Sequence, residues 1–442
     1  MIRDLRYEPY PERLARMFPS ENHDAMKVGG NHVFDITIQV TEECNLQCTY
    51  CYQHDKTVSK LDIETGKRFI DLILASDERS SKYIKSKECP GVVLNFIGGE
   101  PFLEVDLVDE LTDYFIQRMI ELDHPWLNRY RLAFSSNGMC YFEPKVQKYL
   151  NKNIGHLSMT ITIDGNKELH DLCRLDLEGH GSYDRAFAAA QDWYQKTGQI
   201  ETKVTISPDN VLYLSSAIID FIKAGRHVVN ANCVYEEGWK PEHASLLYNE
   251  LKRIADFLLD NDLDDTVYFS MFDNANGEPY DNENTWCGGS GLMLAVDTKG
   301  DLYPCLRYTP SSVGHSDNLF KIGDVEHGLI YNEEQQERLR CLSCITRTTQ
   351  CKDTKCEDCP IAKGCGDCAA YSYEVYGVVG KRTTFICDCH VARVLATCYY
   401  YNKKAKKKNI SPVKKMNCPE NWAITVVGEN EYKYLCELAK GD

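Results

Sequence analysis

The stretch Thr41–Gln53, TEECNLQCTYCYQ, sets three cysteines within eight positions, directly behind the alternating apolar run HVFDITIQV of residues 32–40. Alternation with a period of two predicts a strand, so Cys44, Cys48 and Cys51 fall in the loop at its carboxyl end. A structural zinc site wants four protein ligands, and His54 is the only nearby fourth candidate. Three thiolates suit a [4Fe–4S] cluster in which one iron has no protein ligand and stays open to a substrate or cofactor. A gap of three residues and then of two fits a loop folded around a cube better than one helical face. Taken alone, the spacing leaves zinc and unrelated reduced thiols as alternatives.

Outward from this loop, strand-like and helix-like patterns alternate. Strands are expected around Val33–Val40, Val92–Ile97, Tyr130–Ser135, Leu157–Ile163, Lys203–Ile206 and His227–Cys233, each followed by a helical pattern. The clearest helices are Asp62–Ala75 and Val105–Leu122, with apolar residues at three- and four-residue intervals. Six β–α pairs imply an α/β fold with a parallel sheet, a partial (β/α)6 barrel with its chemistry at the carboxyl ends of the strands. Beyond about Ser270 this rhythm stops and a Cys-rich segment runs to Cys398, a small second domain that a metal or cluster would hold together. The expected division is 1–32 as an N-terminal segment, 33–269 as the barrel, 270–398 as the Cys-rich domain and 399–442 as a basic C-terminal tail.

The chain has 442 residues, 43% of them hydrophobic, enough for a sizeable core. No apolar run reaches the roughly 18 residues of a membrane helix, and the N-terminus is charged from Arg3, so a cytoplasmic protein without a membrane partner is expected. In that reducing compartment 21 cysteines, ten of them between Cys341 and Cys398, read as metal or cluster ligands. A net charge of −16 disfavours nucleic acid. The one dense basic block, Lys403–Lys408, reads first as a solvated face and second as an attractor for an acidic peptide. The last stretch, 411–442, receives no function.

Two further motifs close strands. GGEP, Gly98, Gly99, Glu100 and Pro101, follows the second, and SSNG, with Ser136 and Asn137, ends the third. TIDGNKELHDLCR, Thr162–Arg174, ends the fourth and contains Asp164. Together with CNLQCTYCY these elements resemble the radical S-adenosylmethionine (SAM) enzymes. The resemblance implies that Cys44, Cys48 and Cys51 hold the SAM-binding cluster and that the GGEP element meets the SAM amino group. It implies further that Thr162 and Arg174 contact the SAM carboxylate or ribose, while Ser136, Asn137 and Asp164 shape the pocket. Arg174 suits a carboxylate through its bidentate fork, with a salt bridge as the plainer reading. Thr162 stands where Ser is usual and keeps the hydroxyl.

In the second half, Cys287 and Cys305 flank an expected hairpin around Gly300, and CEDCPIAKGCGDC supplies Cys356, Cys359, Cys365 and Cys368 ahead of Cys387. CxxC pairs alone read equally as a zinc ribbon. Their order behind a radical SAM core resembles the SPASM domain, which carries two auxiliary [4Fe–4S] clusters and brings the expected total to three. By that resemblance Cys356, Cys359, Cys365 and Cys387 hold the distal cluster, and Cys287, Cys305 and Cys368 the nearer one. Two residues, not the usual three, separate Cys365 from Cys368. CLSCITRTTQC adds Cys341, Cys344 and Cys351, of which Cys344 is the first choice to complete the nearer cluster, which otherwise keeps an open iron. Cys89, Cys140, Cys173 and Cys233 are expected to pack as small apolar residues.

The pattern looks most like maturases of peptides with Cys repeats. Thioether formation to a non-α carbon (ranthipeptide) is the leading expectation and α-carbon sactipeptide formation the second, with an anaerobic sulfatase-type maturase and a zinc-binding interaction protein as rivals. The implied partners are a precursor peptide with a leader and a Cys-containing core, and an external electron donor such as flavodoxin or ferredoxin. The segment before Val33 looks short for a complete winged-helix leader-binding domain, which would leave leader recognition to the core, the C-terminal tail or another protein.

Overall fold

The computed structural model describes residues 33–75, 84, 91–199, 203–236, 238–280, 289, 293–314, 319–329, 331–352 and 354–440. The expected N-terminal segment, Cys89 and Cys287 lie outside these residues.

All six expected strands form: β1 (Val33–Thr41), β2 (Gly91–Gly98), β3 (Tyr130–Ser136), β4 (Leu157–Ile161), β5 (Lys203–Ile206) and β6 (Val228–Cys233). Between and after them run α1 (Ile63–Ala75), α2 (Val105–Glu121), α3 (Pro144–Asn153), α4 (Lys167–Cys173), α5 (Tyr183–Thr197), α6 (Leu214–Lys223) and α7 (Pro241–Asp260). A two-residue β7 (Tyr268–Phe269) extends the series. Along β1 the alternation has a direct physical meaning. Phe34, Ile36, Ile38 and Val40 are buried on one face, while Thr37, Gln39 and Thr41 are buried on the other and supply polar groups there. Asp35, beside them, accepts a hydrogen bond from Asn95 of β2, and burial pushes its carboxyl up to about 6.

Strands β1 to β4 pair in parallel in chain order, and β5, β6 and β7 pair in parallel in a second sheet. The ladder is interrupted between β4 and β5. There the buried Asp164 carboxylate accepts from the Thr205 backbone N–H at 2.9 Å, so a side chain links the two edges.

The second half is joined to the first through the sheet. Beyond Ser270, β8 (Met293–Val296) pairs in parallel with β1, from Asp35 opposite Met293 to Ile38 opposite Val296. It forms an antiparallel hairpin with β9 (Asp301–Tyr303), followed by β10 (Gly323–Asp324). Gly300 sits in the hairpin turn at φ +89°, a conformation that disfavours side chains, and the Asp297 carboxylate accepts from the Lys299 and Asp301 N–H groups. Strand β1 is therefore an interior strand, flanked by β2 and β8.

Further helices are α8 (Glu333–Ser343), α9 (Ala369–Tyr376), α10 (Cys387–Lys407) and α11 (Glu420–Lys440), the last kinked at Gly428. The expected division between 398 and 399 falls inside α10, which packs against α7 and α11. The basic block is its final turn and a half, and four of its five lysines have acidic partners. Lys403 pairs with Asp256 at 2.5 Å, Lys404 with Asp264 at 3.1 Å and Asp265 at 2.8 Å, Lys407 with Asp262 at 2.6 Å, and Lys408 with Asp265 at 2.7 Å. An acidic stretch at the end of α7 thus meets the charge that the sequence alone leaves facing solvent. Among the described residues no helix is long and apolar enough to cross a membrane.

Candidate active site and cysteine pocket

The cysteine loop leaves β1 at Thr41, whose hydroxyl accepts from the Glu43 N–H at 3.0 Å. Residues 173–175, at the end of α4, back the loop: Gln47 N–H bonds to the Leu175 carbonyl at 2.8 Å and Thr49 N–H to the Cys173 carbonyl at 3.0 Å. Leu46 is buried and anchors the turn, leaving Cys44, Cys48 and Cys51 partly exposed.

Each of the three sulfurs has its own nitrogen neighbour. Asn137 Nδ2 is 3.8 Å from Cys44 Sγ, Arg174 Nη1 is 3.6 Å from Cys48 Sγ, and Lys56 Nζ is 3.7 Å from Cys51 Sγ. Burial pushes the Cys44 thiol up to about 11 and also raises Cys48, with Arg174 opposing the rise at Cys48. Loss of the three thiol protons would place negative charge in a half-buried loop, and one amide and two cations are placed to offset it. Among the described residues no group of three or more His, Cys, Asp or Glu gathers closely enough to hold one metal ion. A cubane cluster asks for a different geometry, each thiolate reaching a separate iron, and this donor set with its cationic surroundings fits that requirement.

GGEP holds the loop from beneath. Gly99 N–H bonds to the Thr41 carbonyl at 3.1 Å and Glu100 N–H to the Glu43 carbonyl at 2.9 Å. A Cβ on Gly99 would stand 2.3 Å from the Glu43 oxygen and 2.7 Å from Cys44 Cβ, so only glycine permits this approach. Pro101 opens a short 3-10 turn and is buried. The Glu100 carboxylate, fully buried, accepts from Ser136 Oγ at 2.8 Å, the Asn137 N–H at 2.8 Å and the Phe102 N–H at 3.3 Å. Burial pushes it up to about 7 against those bonds. Asn137 also donates to Asn45 Oδ1 at 2.7 Å. The ends of β1, β2 and β3 are thereby wired together around Glu100.

The end of β4 completes the rim. Thr162 N–H bonds to the Ser136 carbonyl at 3.1 Å. Arg174 Nε donates to Asp164 at 2.7 Å in a buried ion pair, and the Tyr50 hydroxyl donates to the same carboxylate. The Arg174 guanidinium lies 5.3 Å from the Tyr50 ring centre. In this structure two donors of the Arg174 fork are therefore engaged by Asp164 and Cys48. His170, held neutral by burial with its titration pushed down to about 4, links Asp164 N–H to Ser182 Oγ, which in turn donates to the Arg174 carbonyl.

The second cysteine system is separate. Cys356, Cys359, Cys365 and Cys387 line one pocket, together with Arg347, Lys355, Arg382 and Trp422. Arg382 Nη2 reaches Cys365 Sγ at 3.2 Å, the Cys365 carbonyl at 3.0 Å and the Gly366 carbonyl at 2.8 Å. Cys351 is fully buried and hydrogen-bonds to Cys356; that bond, against burial and with help from a Thr354 hydrogen bond and the charges of Arg382 and Lys355, pulls the Cys356 thiol down. Burial pushes Cys365 up to about 11 and Cys418 up to about 12, with Cys359 and Cys387 adding to the rise at Cys418.

Cys305 and Cys368 are half-buried, each at the start of a helical turn. Both lie near Tyr52, the residue after Cys51: the Cys51, Cys305 and Cys368 thiols all act on its phenol, while Tyr52 keeps 37% of its surface exposed. Their expected companion Cys287 lies outside the described residues. Cys344 is exposed at the C-cap of α8, its N–H bonded to carbonyls of that helix and its sulfur beside Cys341 and Arg340. Cys140 and Cys173 are buried as expected of packing residues, whereas Cys233 makes a hydrogen bond with Cys389.

Tyr50, Tyr52 and Lys56 were available inside or beside the cysteine motif, but nothing in their spacing marks them. Arg382 and Arg307 have no local signal, since both act on segments remote in the chain.

The profile of the 4Fe-4S single cluster domain family matches residues 36–186. An uncharacterized protein of Methanocaldococcus jannaschii is 25% identical over 276 residues, covering 61% of this chain and 84% of that protein. The cysteine-type anaerobic sulfatase-maturating enzyme of Clostridium perfringens is 24% identical over 280 residues, covering 60% of this chain and 72% of the enzyme. Among solved structures, native anSMEcpe with bound AdoMet and Cp18Cys peptide superposes with a TM-score of 0.54 at 17% identity, covering 85% of this chain and 99% of the other. With its parallel sheet, its three-cysteine loop at the end of β1 and its Cys-rich second half, the chain has a radical SAM/SPASM-type fold.

Proposed function

We propose that this chain is a radical SAM peptide maturase that closes thioether links between a cysteine sulfur and a non-α carbon of a ribosomally made precursor peptide. The observation that carries the reading is the pairing, in one molecule, of the Cys44–Cys48–Cys51 loop with a separate pocket lined by Cys356, Cys359, Cys365 and Cys387. When bound, the first cluster and SAM supply a carbon-centred radical that takes a hydrogen atom from substrate. The chain's own residues then have definite tasks. Lys56, Arg174 and Asn137 offset thiolate charge, Glu100 fixes three strand ends, and Asp164 holds Arg174 at the rim where a SAM carboxylate would bind. Thr162 and the GGEP turn border the same space.

Cys356, Cys359, Cys365 and Cys387 would hold the distal auxiliary cluster. Cys287, Cys305 and Cys368 would hold the nearer one, with Cys344 as its proposed fourth ligand. Auxiliary clusters suit a reaction whose closing step releases an electron, as when a thiol adds to a carbon radical and loses its proton. A soluble electron donor such as flavodoxin or ferredoxin would serve the first cluster.

A second reading is a sulfatase-type maturase, favoured by the similarity to the C. perfringens enzyme over 60% of this chain. Coexpression with a Cys-repeat peptide, followed by tandem mass spectrometry, separates the two. The thioether reading expects two hydrogens lost per ring and a side-chain carbon–sulfur link that survives thiol alkylation. An aldehyde trapped by a hydrazide, with no ring, would replace it by the sulfatase-type reading.

A further inference from the structure

Arg307 stands where the two cysteine systems meet. It follows Cys305 by two residues, and its guanidinium carbon lies 5.4 Å from the ring centre of Tyr52, the residue after Cys51. The ring centre of Tyr371, three residues past Cys368, lies 5.5 Å from the same carbon. Its two terminal nitrogens pair with Glu236, just past β6, and with Glu374 of α9, both at 2.9 Å. Nη1 also donates to the Ser312 carbonyl at 3.1 Å. The side chain is 12% exposed.

A buried arginine with two carboxylates would ordinarily be read as a staple between packed segments. Here each ring that the guanidinium contacts is joined by a few covalent bonds to a cysteine of a different proposed cluster. A planar cation in contact with two aromatic rings and fixed at its terminal nitrogens by two ion pairs has little freedom to tilt or slide. The staple therefore sets one particular distance, that from the loop carrying Cys51 to the segments carrying Cys305 and Cys368. Electron transfer between clusters falls steeply with separation, so this distance has a chemical consequence.

We propose that Arg307 is a positioning residue that fixes the separation between the iron–sulfur site at Cys44, Cys48 and Cys51 and the one at Cys305 and Cys368. The inference rests on the reading of Cys305 and Cys368 as ligands of the nearer auxiliary cluster. The electron concerned is the one released when a carbon radical and a thiol join, the thiol proton leaves and the carbon–sulfur bond closes. With clusters bound, the nearer site would take up that electron and pass it to the first site, which reductive cleavage of SAM would have left oxidised by one electron.

The test uses full-length protein with reconstituted clusters, reduced by dithionite with SAM present, in wild-type, Arg307→Lys and Arg307→Gln forms. Iron and sulfide per chain are counted first. A wild type that carries only the iron of a single cluster refutes the auxiliary-cluster reading itself, whatever Arg307 does. With the full iron complement present, the readout is the spin-relaxation enhancement that the auxiliary clusters impose on the EPR signal of the SAM-site cluster. Arg307→Gln is expected to lose most of that enhancement at unchanged iron content, and Arg307→Lys to restore part of it. A wild-type enhancement in Arg307→Gln overturns the proposal. Should Arg307→Gln fail to load iron, Glu236→Gln, which removes one ion pair and leaves the contacts with Tyr52 and Tyr371, is measured the same way. A reduced enhancement there supports the proposal, and an unchanged one overturns it.

Discussion

Replacing Arg174 by alanine removes a guanidinium that faces three groups at once: the Asp164 carboxylate at 2.7 Å, Cys48 Sγ at 3.6 Å and the face of the Tyr50 ring. Asp164 has no exposed side-chain surface, so the change leaves a buried carboxylate with its two remaining donors, the Tyr50 hydroxyl and the Thr205 N–H. Breaking one side of a buried pair costs about 3–5 kcal/mol, and the two surviving hydrogen bonds place Arg174→Ala near the lower end, about 3 kcal/mol. Asp164→Asn strands the cation instead and should cost a similar amount. The double variant should cost less than the sum, with a coupling energy of about 2 kcal/mol in a double-mutant cycle. Urea unfolding of the metal-free protein measures all four corners of the cycle. The same variants report on the cofactor: if the pair presents Arg174 to a SAM carboxylate, both Arg174→Ala and Asp164→Asn weaken SAM binding to the reconstituted enzyme. The loss for alanine should be about tenfold or more, the equivalent of one charge-assisted contact, with Arg174→Lys intermediate. A coupling energy below about 0.5 kcal/mol would refute the structural argument. Unchanged SAM affinity in both single variants would confine Arg174 to a packing role.

Other outcomes follow from the same geometry. Replacing Cys44, Cys48 and Cys51 together by alanine should remove about four irons per chain and abolish 5′-deoxyadenosine formation while the remaining iron is retained; continued 5′-deoxyadenosine production would falsify the assignment. Gly99→Ala drives a methyl into the Glu43 carbonyl and should cost about 1–3 kcal/mol, read as a lowered Tm together with poorer cluster loading; a wild-type Tm would show that the loop can yield. His124 is buried with its ring edge-on to Trp126, and burial pushes its titration from an ordinary 6.5 down to about 4. The unfolded chain binds a proton there first, so stability should fall as pH drops from 6.5 towards 4, and His124→Gln should make that part of the urea-midpoint profile shallower, leaving the share of the buried His170 and His390.

What the sequence reveals depends on how far apart the interacting residues lie. The six barrel strands are legible because burying one face of a strand against helices leaves a local alternation, visible in Phe34, Ile36, Ile38 and Val40. The cysteine loop is legible because its ligands sit within eight positions, and the distal pocket because Cys356, Cys359 and Cys365 share a short segment. Partners that meet across the fold leave no such trace. Asp164 is close to Arg174 in the chain, yet the bond that bridges β4 to β5 through Thr205 depends on where the ladder opens. The lysines at the end of α10 read as a solvated block because their acidic partners, residues 256–265, precede them by more than a hundred positions. Cys351 read as one of three spare cysteines, and only burial against Cys356 distinguishes it from the exposed Cys341 and Cys344.

The pairing of β8 with β1 bears on how the chain reaches its native state. Strand β1 leaves the ribosome well before the partner for one of its two edges, Met293–Val296, which is made only after the whole series from β2 to β7. Until then the edge that carries Asp35 to Ile38 presents unpaired backbone groups on an apolar strand, a template for joining another chain. Contacts of such long sequence separation are costly to close and form slowly. A fragment ending near residue 269 would keep every barrel strand and still expose that edge. It should aggregate during synthesis where the full chain does not, so the Cys-rich half also acts as the late-arriving cover for the strand from which the cysteine loop springs.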